Sequence, residues 1–272
     1  MSDNVIPITR PQASVVTQPV KQETKFPTET INIPSKGWFY PEESPLSSGK
    51  MELKMMTAKE EDILTSRNLL QKGLALDKLL DSLVVDKNID TDDLLNCDRN
   101  ALLVAIRRLA YGDEYEAVVN CGRCGKDSQI KFDLGKMDNK PFDFDKYPKG
   151  QNIFEFTLPN SQRTVNFKLL TKKDDDLISS EIKSLEKVFK EISKEITTRL
   201  KYIIVALDGS SDKSLIRKFV DNEMLSKDSL ALRGQIRKMP DIDTSFDFVC
   251  SSCGSERRED MPLEASFFWP NR

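Results

Sequence analysis

The sequence predicts a mixed α+β protein made of two related copies of one unit, β-β-α-α-α-β-turn-β, packed about a pseudo-two-fold axis. Three observations predict it. GKMELKMMTAKEEDILTS and RTVNFKLLTKKDDDLISS match at an offset of 114 positions (Thr57 to Thr171), with Lys54/Lys168, Thr57/Thr171, Lys59/Lys173, Asp62/Asp176 and Ser66/Ser180 identical. NALLVAIRRL matches LALRGQIRKM at an offset of 130 (Ala101 to Ala231), pairing Ile106 with Ile236 and Arg107 with Arg237. CGRCG at Cys121 matches CSSCG at Cys250, an offset of 129. Three landmarks in the same order predict duplication, and the growing offset places an insertion in the second copy at about 181–225. Two related halves can then cover each other's apolar faces.

Taken in order, residues 1–28 show neither a helical nor a strand period and are expected to form a flexible tail. Repeat one is assigned to 29–137. Ile31 and Ile33, then Met51, Leu53 and Met55, alternate with polar residues and predict two short strands. Between them lies the loop GWFYPEESPLSSG, where Trp38, Phe39 and Tyr40 either plug the core or anchor a partner. Thr57 and Glu60 have capping-box spacing and start a helix running to about Ser66. Leu76, Leu79, Leu80 and Leu83 share a face of the next helix. Asp98 is placed as the cap of a third, with Leu102, Ala105, Ile106 and Leu109 inward. YEAVVN and SQIKFDL flank CGRCG as a strand pair. The segment 138–150, rich in Pro and Asp, is a linker, and repeat two covers 151–269. Its insertion carries an apolar stripe of Ile182, Leu185, Phe189 and Ile192.

Composition narrows the function. The chain has 272 residues, 38% hydrophobic and 31% charged, with net charge −3 and an isoelectric point near 5.4. No apolar run approaches the roughly 20 residues of a membrane helix. The first residues lack the pattern of a signal peptide, so a cytoplasmic location with reduced thiols is expected. Basic residues are scattered among acidic ones, which argues against a nucleic-acid footprint. Histidine is absent. Histidine-dependent triads and histidine metal centres are thereby excluded. There is no Gly-rich phosphate loop, and acidic runs such as EED and DDD lie at helix starts, where carboxylates favour the helix dipole. A non-enzymatic protein without a small-molecule substrate is expected.

The four cysteines in C-x-x-C pairs carry the most specific signal. A metal knuckle, a redox dithiol and a disulfide hairpin share this spelling. In a reducing compartment a disulfide is disfavoured, and neither pair opens a helix after a strand as a redox motif does. Cys121, Cys124, Cys250 and Cys253 together make a tetrathiolate set, the preferred donor set of one structural zinc ion. The interval of 126 positions from Cys124 to Cys250 exceeds that of a compact ribbon, but duplication accounts for it as the length of one copy. Such a site carries a formal charge of −2, with Arg123, Lys126, Arg257 and Arg258 near in sequence to offset it. Cys97 has no partner motif.

INIPSKGWFYP, SPLSSGKMELKMMTAKEEDILTS and the leucine-rich helices that follow resemble the baseplate hub and hub assembly proteins of T-even-type contractile-tailed phages, best over about 30–110. The terminal FFWP is similar too. The resemblance implies a late protein acting in the host cytoplasm during assembly of the baseplate's central hub, as a hub subunit or an assembly chaperone. Its partners would be other hub or tail proteins. Candidate partner contacts are Trp38, Phe39 and Tyr40, the end residues Phe267, Phe268 and Trp269, and the tail. The family carries no active site onto this chain. The alternative from the residues is a zinc-ribbon nucleic-acid-binding regulator.

Overall fold

The computed structural model describes residues 27–188 and 193–268. The expected tail up to residue 26, Phe189 and Ile192 of the stripe, and Trp269 lie outside the described residues.

Strand β1 (Thr28–Asn32) pairs antiparallel with β2 (Lys50–Lys54), setting Ile31 against Met51. The long loop between them folds back on itself. Gly37 (φ 72°) and Gly49 (φ 70°) take left-handed conformations where the chain crosses. A Cβ on Gly37 would stand 2.4 Å from the Ser47 carbonyl oxygen, and one on Gly49 2.5 Å from that of Lys36. Gly37→Ala is therefore expected to lower stability by more than the roughly 1–2 kcal/mol of a left-handed alanine alone, because backbone must also move. Urea unfolding measures it.

Helices α1 (Ala58–Thr65), α2 (Arg67–Lys72), α3 (Ala75–Leu83) and α4 (Asn96–Tyr111) follow. The first ends where expected, at Ser66, which is extended (φ −65°, ψ 110°); α2 is an added helix that was not forecast. The capping interaction forms: the Thr57 N–H and hydroxyl donate to Glu60 Oε2 at 2.9 and 2.6 Å. Strands β3 (Glu114–Asn120) and β4 (Asp127–Asp133) form an antiparallel hairpin around the first thiol turn.

The second half begins with β5 (Phe154–Thr157) and β6 (Thr164–Phe167). Helix α5 (Lys172–Val188) starts with a copy of the earlier cap, in which Thr171 N–H donates to Asp174 Oδ2 (3.1 Å) and Asp174 N–H to Thr171 Oγ1 (3.3 Å). Then come α6 (Glu195–Ile203), β7 (Ile204–Leu207), α7 (Lys213–Lys218), a π-helical turn at Phe219–Glu223, α8 (Ser226–Ile236), β8 (Ser245–Val249) and β9 (Glu256–Asp260). Strand β7 had no forecast. It pairs antiparallel with β6, making a three-stranded sheet β5-β6-β7. Among the described residues the other three sheets are two-stranded, and helix and sheet are mixed as the α+β class expects.

One continuous core joins residues of both halves, including Leu53, Leu79, Leu102, Phe154, Phe167, Leu200 and Phe219. Segment 138–150 contributes to it rather than merely spanning. Phe142, Phe144 and Tyr147 pack around Phe39, whose ring meets Phe154 edge-on at 4.9 Å. The starts of α4 and α5 also meet. Asn96 N–H donates to the Leu170 carbonyl (3.0 Å) and Lys172 N–H to that of Leu94 (3.1 Å). Beside them, buried Asp77 pairs with Arg99 (2.8 Å) and Lys172 (3.1 Å).

Candidate metal centre

Each thiol turn is shaped by the strands that lead into it. Cys121 N–H donates to Lys126 O (2.9 Å) and Gly125 N–H to Cys121 O (2.7 Å); Cys250 N–H donates to Ser255 O (3.0 Å) and Gly254 N–H to Cys250 O (3.0 Å). The turns have the same hydrogen-bond plan. Gly125 (φ 69°) and Gly254 (φ 64°) take the left-handed conformation that a β-carbon would strain.

The hairpins face each other. Phe132 on β4 stacks on Phe246 of β8, centroids 5.3 Å apart and planes 13° off parallel. Cys121, Phe248 and Cys250 form a small buried cluster with Val119, Ile130 and Phe246 beside it. This packing brings the four sulfurs within 4.8 Å of one another. Cys121 Sγ lies 3.8 Å from Cys253 Sγ, and Cys124 Sγ 3.6 Å from Cys250 Sγ. A tetrahedron with metal–sulfur bonds of about 2.3 Å has edges of about 3.8 Å, so these spacings fit one ion held by all four thiolates. Among the described residues it is the one cluster of His, Cys, Asp or Glu side chains arranged to hold a metal. Two of the four cysteines are buried, Cys121 and Cys250, and two are exposed, Cys124 and Cys253.

The turns also prepare their first cysteines for deprotonation. The Ser252 N–H, with that of Cys253, holds the Cys250 thiol down to about 6. The Cys124 and Arg123 N–H groups lower Cys121 in the same way. For Cys253 the Ser255 N–H also acts downward, but desolvation and the surrounding thiols prevail and push it up to about 11. One proton is thus held more tightly than the others within the cluster, as expected where four acids crowd one volume. Cys97 stands apart, buried in the core with its thiol pushed up by burial.

The other sequence-selected residues have different fates. Phe39 and Tyr40 are buried, as are Phe267 and Phe268. Phe267 stands 5.1 Å from the Tyr115 ring and 5.7 Å from Phe268. Of the two roles open to these aromatics, burial supports the core plug. Trp38 is half-buried, its indole N–H donating to the Tyr147 carbonyl at 3.0 Å. Arg123 and Lys126 are exposed, and Arg258 turns to Asp243 (3.2 Å) and Ser245 (2.8 Å).

Asp98 does not cap its helix. It lies in the first turn of α4, wholly buried, and binds the β1–β2 loop: Ser35 N–H (2.9 Å), Ser35 hydroxyl (2.7 Å) and Tyr40 hydroxyl (2.7 Å) all donate to it. Its counterpart at an offset of 130, Asp228, is equally buried in the first turn of α8 and accepts from Asn160 N–H (2.8 Å) and Ser161 N–H (3.0 Å) of the β5–β6 loop. The signal was available, since both aspartates hold the same place relative to the matching helices.

Fold and site together define an α+β protein whose two parts share one core and meet again in a four-thiol cluster. Over residues 39–269 the chain matches the family described as T4 bacteriophage base plate protein, and it belongs to that family. Neither a curated protein nor a solved structure matches it. Membership implies contact with other phage baseplate proteins and a role that in this family is generally structural rather than enzymatic. Among the described residues no helix is long and apolar enough to cross a membrane.

Proposed function

We propose that the chain is a non-enzymatic component of baseplate central hub assembly, acting in the host cytoplasm as a hub subunit or assembly chaperone, with one structural zinc ion. The observation that carries this reading is the family match, which extends across both thiol turns. A closed set of four thiolates leaves no position for a substrate or an activated water, which supports a structural ion.

The two halves descend from one duplicated unit and pack about a pseudo-two-fold axis. Support comes from pairs that the chain repeats: the Thr57–Glu60 and Thr171–Asp174 caps, the Asp98 and Asp228 loop anchors, and the two thiol turns. Trp38 and Trp269 are the aromatic residues we assign to partner contacts.

Phage lacking this protein, complemented in the infected cell, tests the reading. Wild-type chain restores assembled hubs, whereas the Trp38→Ala/Trp269→Ala chain, folded but impaired in contact, leaves them incomplete. Hubs that assemble normally without the protein sink the proposal. Mass spectrometry of purified virions separates the two roles, because a subunit stays in the particle and a chaperone does not.

A further inference from the structure

We propose that Ser128 and Arg257 are reciprocal positioning residues for the metal site, each bracing the thiol turn of the opposite half. The inference rests on the metal reading above.

The two residues hold equivalent places, separated by the same 129 positions that relate Cys121 to Cys250. Ser128 is on β4, 3% exposed, and reaches the second turn. Its hydroxyl donates to Cys250 Sγ (3.8 Å) and accepts the Ser251 N–H (3.2 Å), while the Ser251 hydroxyl lies 3.1 Å away. Arg257 is on β9 and reaches the first turn. Its Nη2 donates to the carbonyl of Asn120, the residue before Cys121, at 2.7 Å. The guanidinium lies over the Phe248 ring, 5.0 Å from its centroid, and pairs with Glu259.

The sizes complement each other. Arg257 Nη1 occupies the space beside Gly122, 2.6 Å from where a Cβ would stand. On the other side a small residue, Ser128, faces a larger one, Ser251, which holds the place equivalent to Gly122. One contact is therefore large-against-glycine and the other serine-against-serine. Both are made from one half onto the other half's turn. Groups in this position orient ligands and tune a metal, and their loss typically costs 10–100-fold in metal affinity. Arg257 acts on the turn through the Asn120 carbonyl and the space beside Gly122, since its charge is already paired with Glu259, as that of Arg258 is with Asp243.

A double-substitution cycle on the full chain tests this, with zinc transfer to a chromophoric chelator as the readout and the thermal midpoint of the metal-free chain as the control for folding. Gly122→Ser and Arg257→Ser are each expected to speed zinc loss by about 10–100-fold. The pair together should return to the wild-type rate, because the introduced hydroxyls stand as Ser251 and Ser128 do. Ser128→Ala, which removes a hydrogen bond to sulfur, should shift the thiolate-to-metal charge-transfer band of the cobalt(II)-loaded chain without lowering the metal-free midpoint. Additive effects of the two serine substitutions would overturn the reciprocal pairing. An unshifted cobalt(II) band together with an unchanged zinc-loss rate for Ser128→Ala and Arg257→Ser overturns it too, even where Gly122→Ser fails to fold. A wild-type chain that takes up no zinc or cobalt(II) overturns the metal reading itself.

Discussion

Cys250→Ser is expected to release the zinc from both thiol turns at once. The four sulfurs form a single set, so a chain with three thiolates loses the closed tetrahedron rather than a quarter of it. Metal analysis should fall from one zinc per chain to none, equally for Cys121→Ser and Cys250→Ser. An ion present at 100 times its dissociation constant adds about 2.7 kcal/mol to stability, and structural zinc sites commonly bind far more tightly. Removing it should lower the thermal midpoint by several degrees while leaving the shared core folded. The two single substitutions should not add, because either one already empties the site. Zinc retained by Cys250→Ser/Cys253→Ser would show that the first turn holds metal alone. Low pH should act in the same direction, since protons compete with the ion for thiolate.

The second large effect belongs to Asp98. Replacing it with alanine leaves the Ser35 N–H, the Ser35 hydroxyl and the Tyr40 hydroxyl without their acceptor in a fully buried site. At about 1–3 kcal/mol for each buried group left unmet, a loss of roughly 3–5 kcal/mol is expected. Tyr40 also accepts the Leu95 N–H (2.8 Å), so the disturbance reaches the start of α4, where the halves meet. Asp228→Ala strands fewer donors and should cost less. Asp98 also carries a pH signature. Burial raises its pKa above the ordinary 3.8, outweighing the Ser35 and Tyr40 donors that act downward. The folded chain then keeps a proton that the unfolded chain has released, so this contribution to stability falls as pH rises from the ordinary value through the raised one. Asp98→Asn should remove that slope, and denaturant unfolding across the acid range would show it.

What the sequence made legible was whatever repeats or punctuates. Thr57 and Thr171 announce their helices through local chemistry, and the thiol pairs announce each other through spelling. Burial of Phe39 and Tyr40 could be read only as one of two choices, because an aromatic loop looks the same whether it faces inward or outward. Strand β7 was hidden for a local reason: α6 ends at Ile203 and the strand begins at Ile204 with no glycine or proline between them. Pairing with β6 decides its conformation, and pairing is a non-local event. Asp98 was misplaced as the cap, three residues beyond the true one at Leu95, because an acidic residue near a helix start serves equally as a cap or as a first-turn acceptor. Only the approach of the β1–β2 loop separates these roles. The cross-half contacts of Ser128 and Arg257 were unreadable for the same reason, although their shared offset was present all along.

The long interval between the thiol turns bears on the order of events during synthesis. Closing a loop of 126 residues (Cys124 to Cys250) costs only about 2 kcal/mol more than closing one of about 15, since loop entropy grows with the logarithm of length. Thermodynamically the remote partner is nearly free. Kinetically it is late: the first turn leaves the ribosome long before the second exists, and contacts this distant in sequence form last. A chain cut between the two turns can therefore offer only Cys121 and Cys124 to the cluster, and the full set arises only when the second turn has been made and has docked on the first. A closed set of four thiols is thus a property only of chains in which both turns are present and paired.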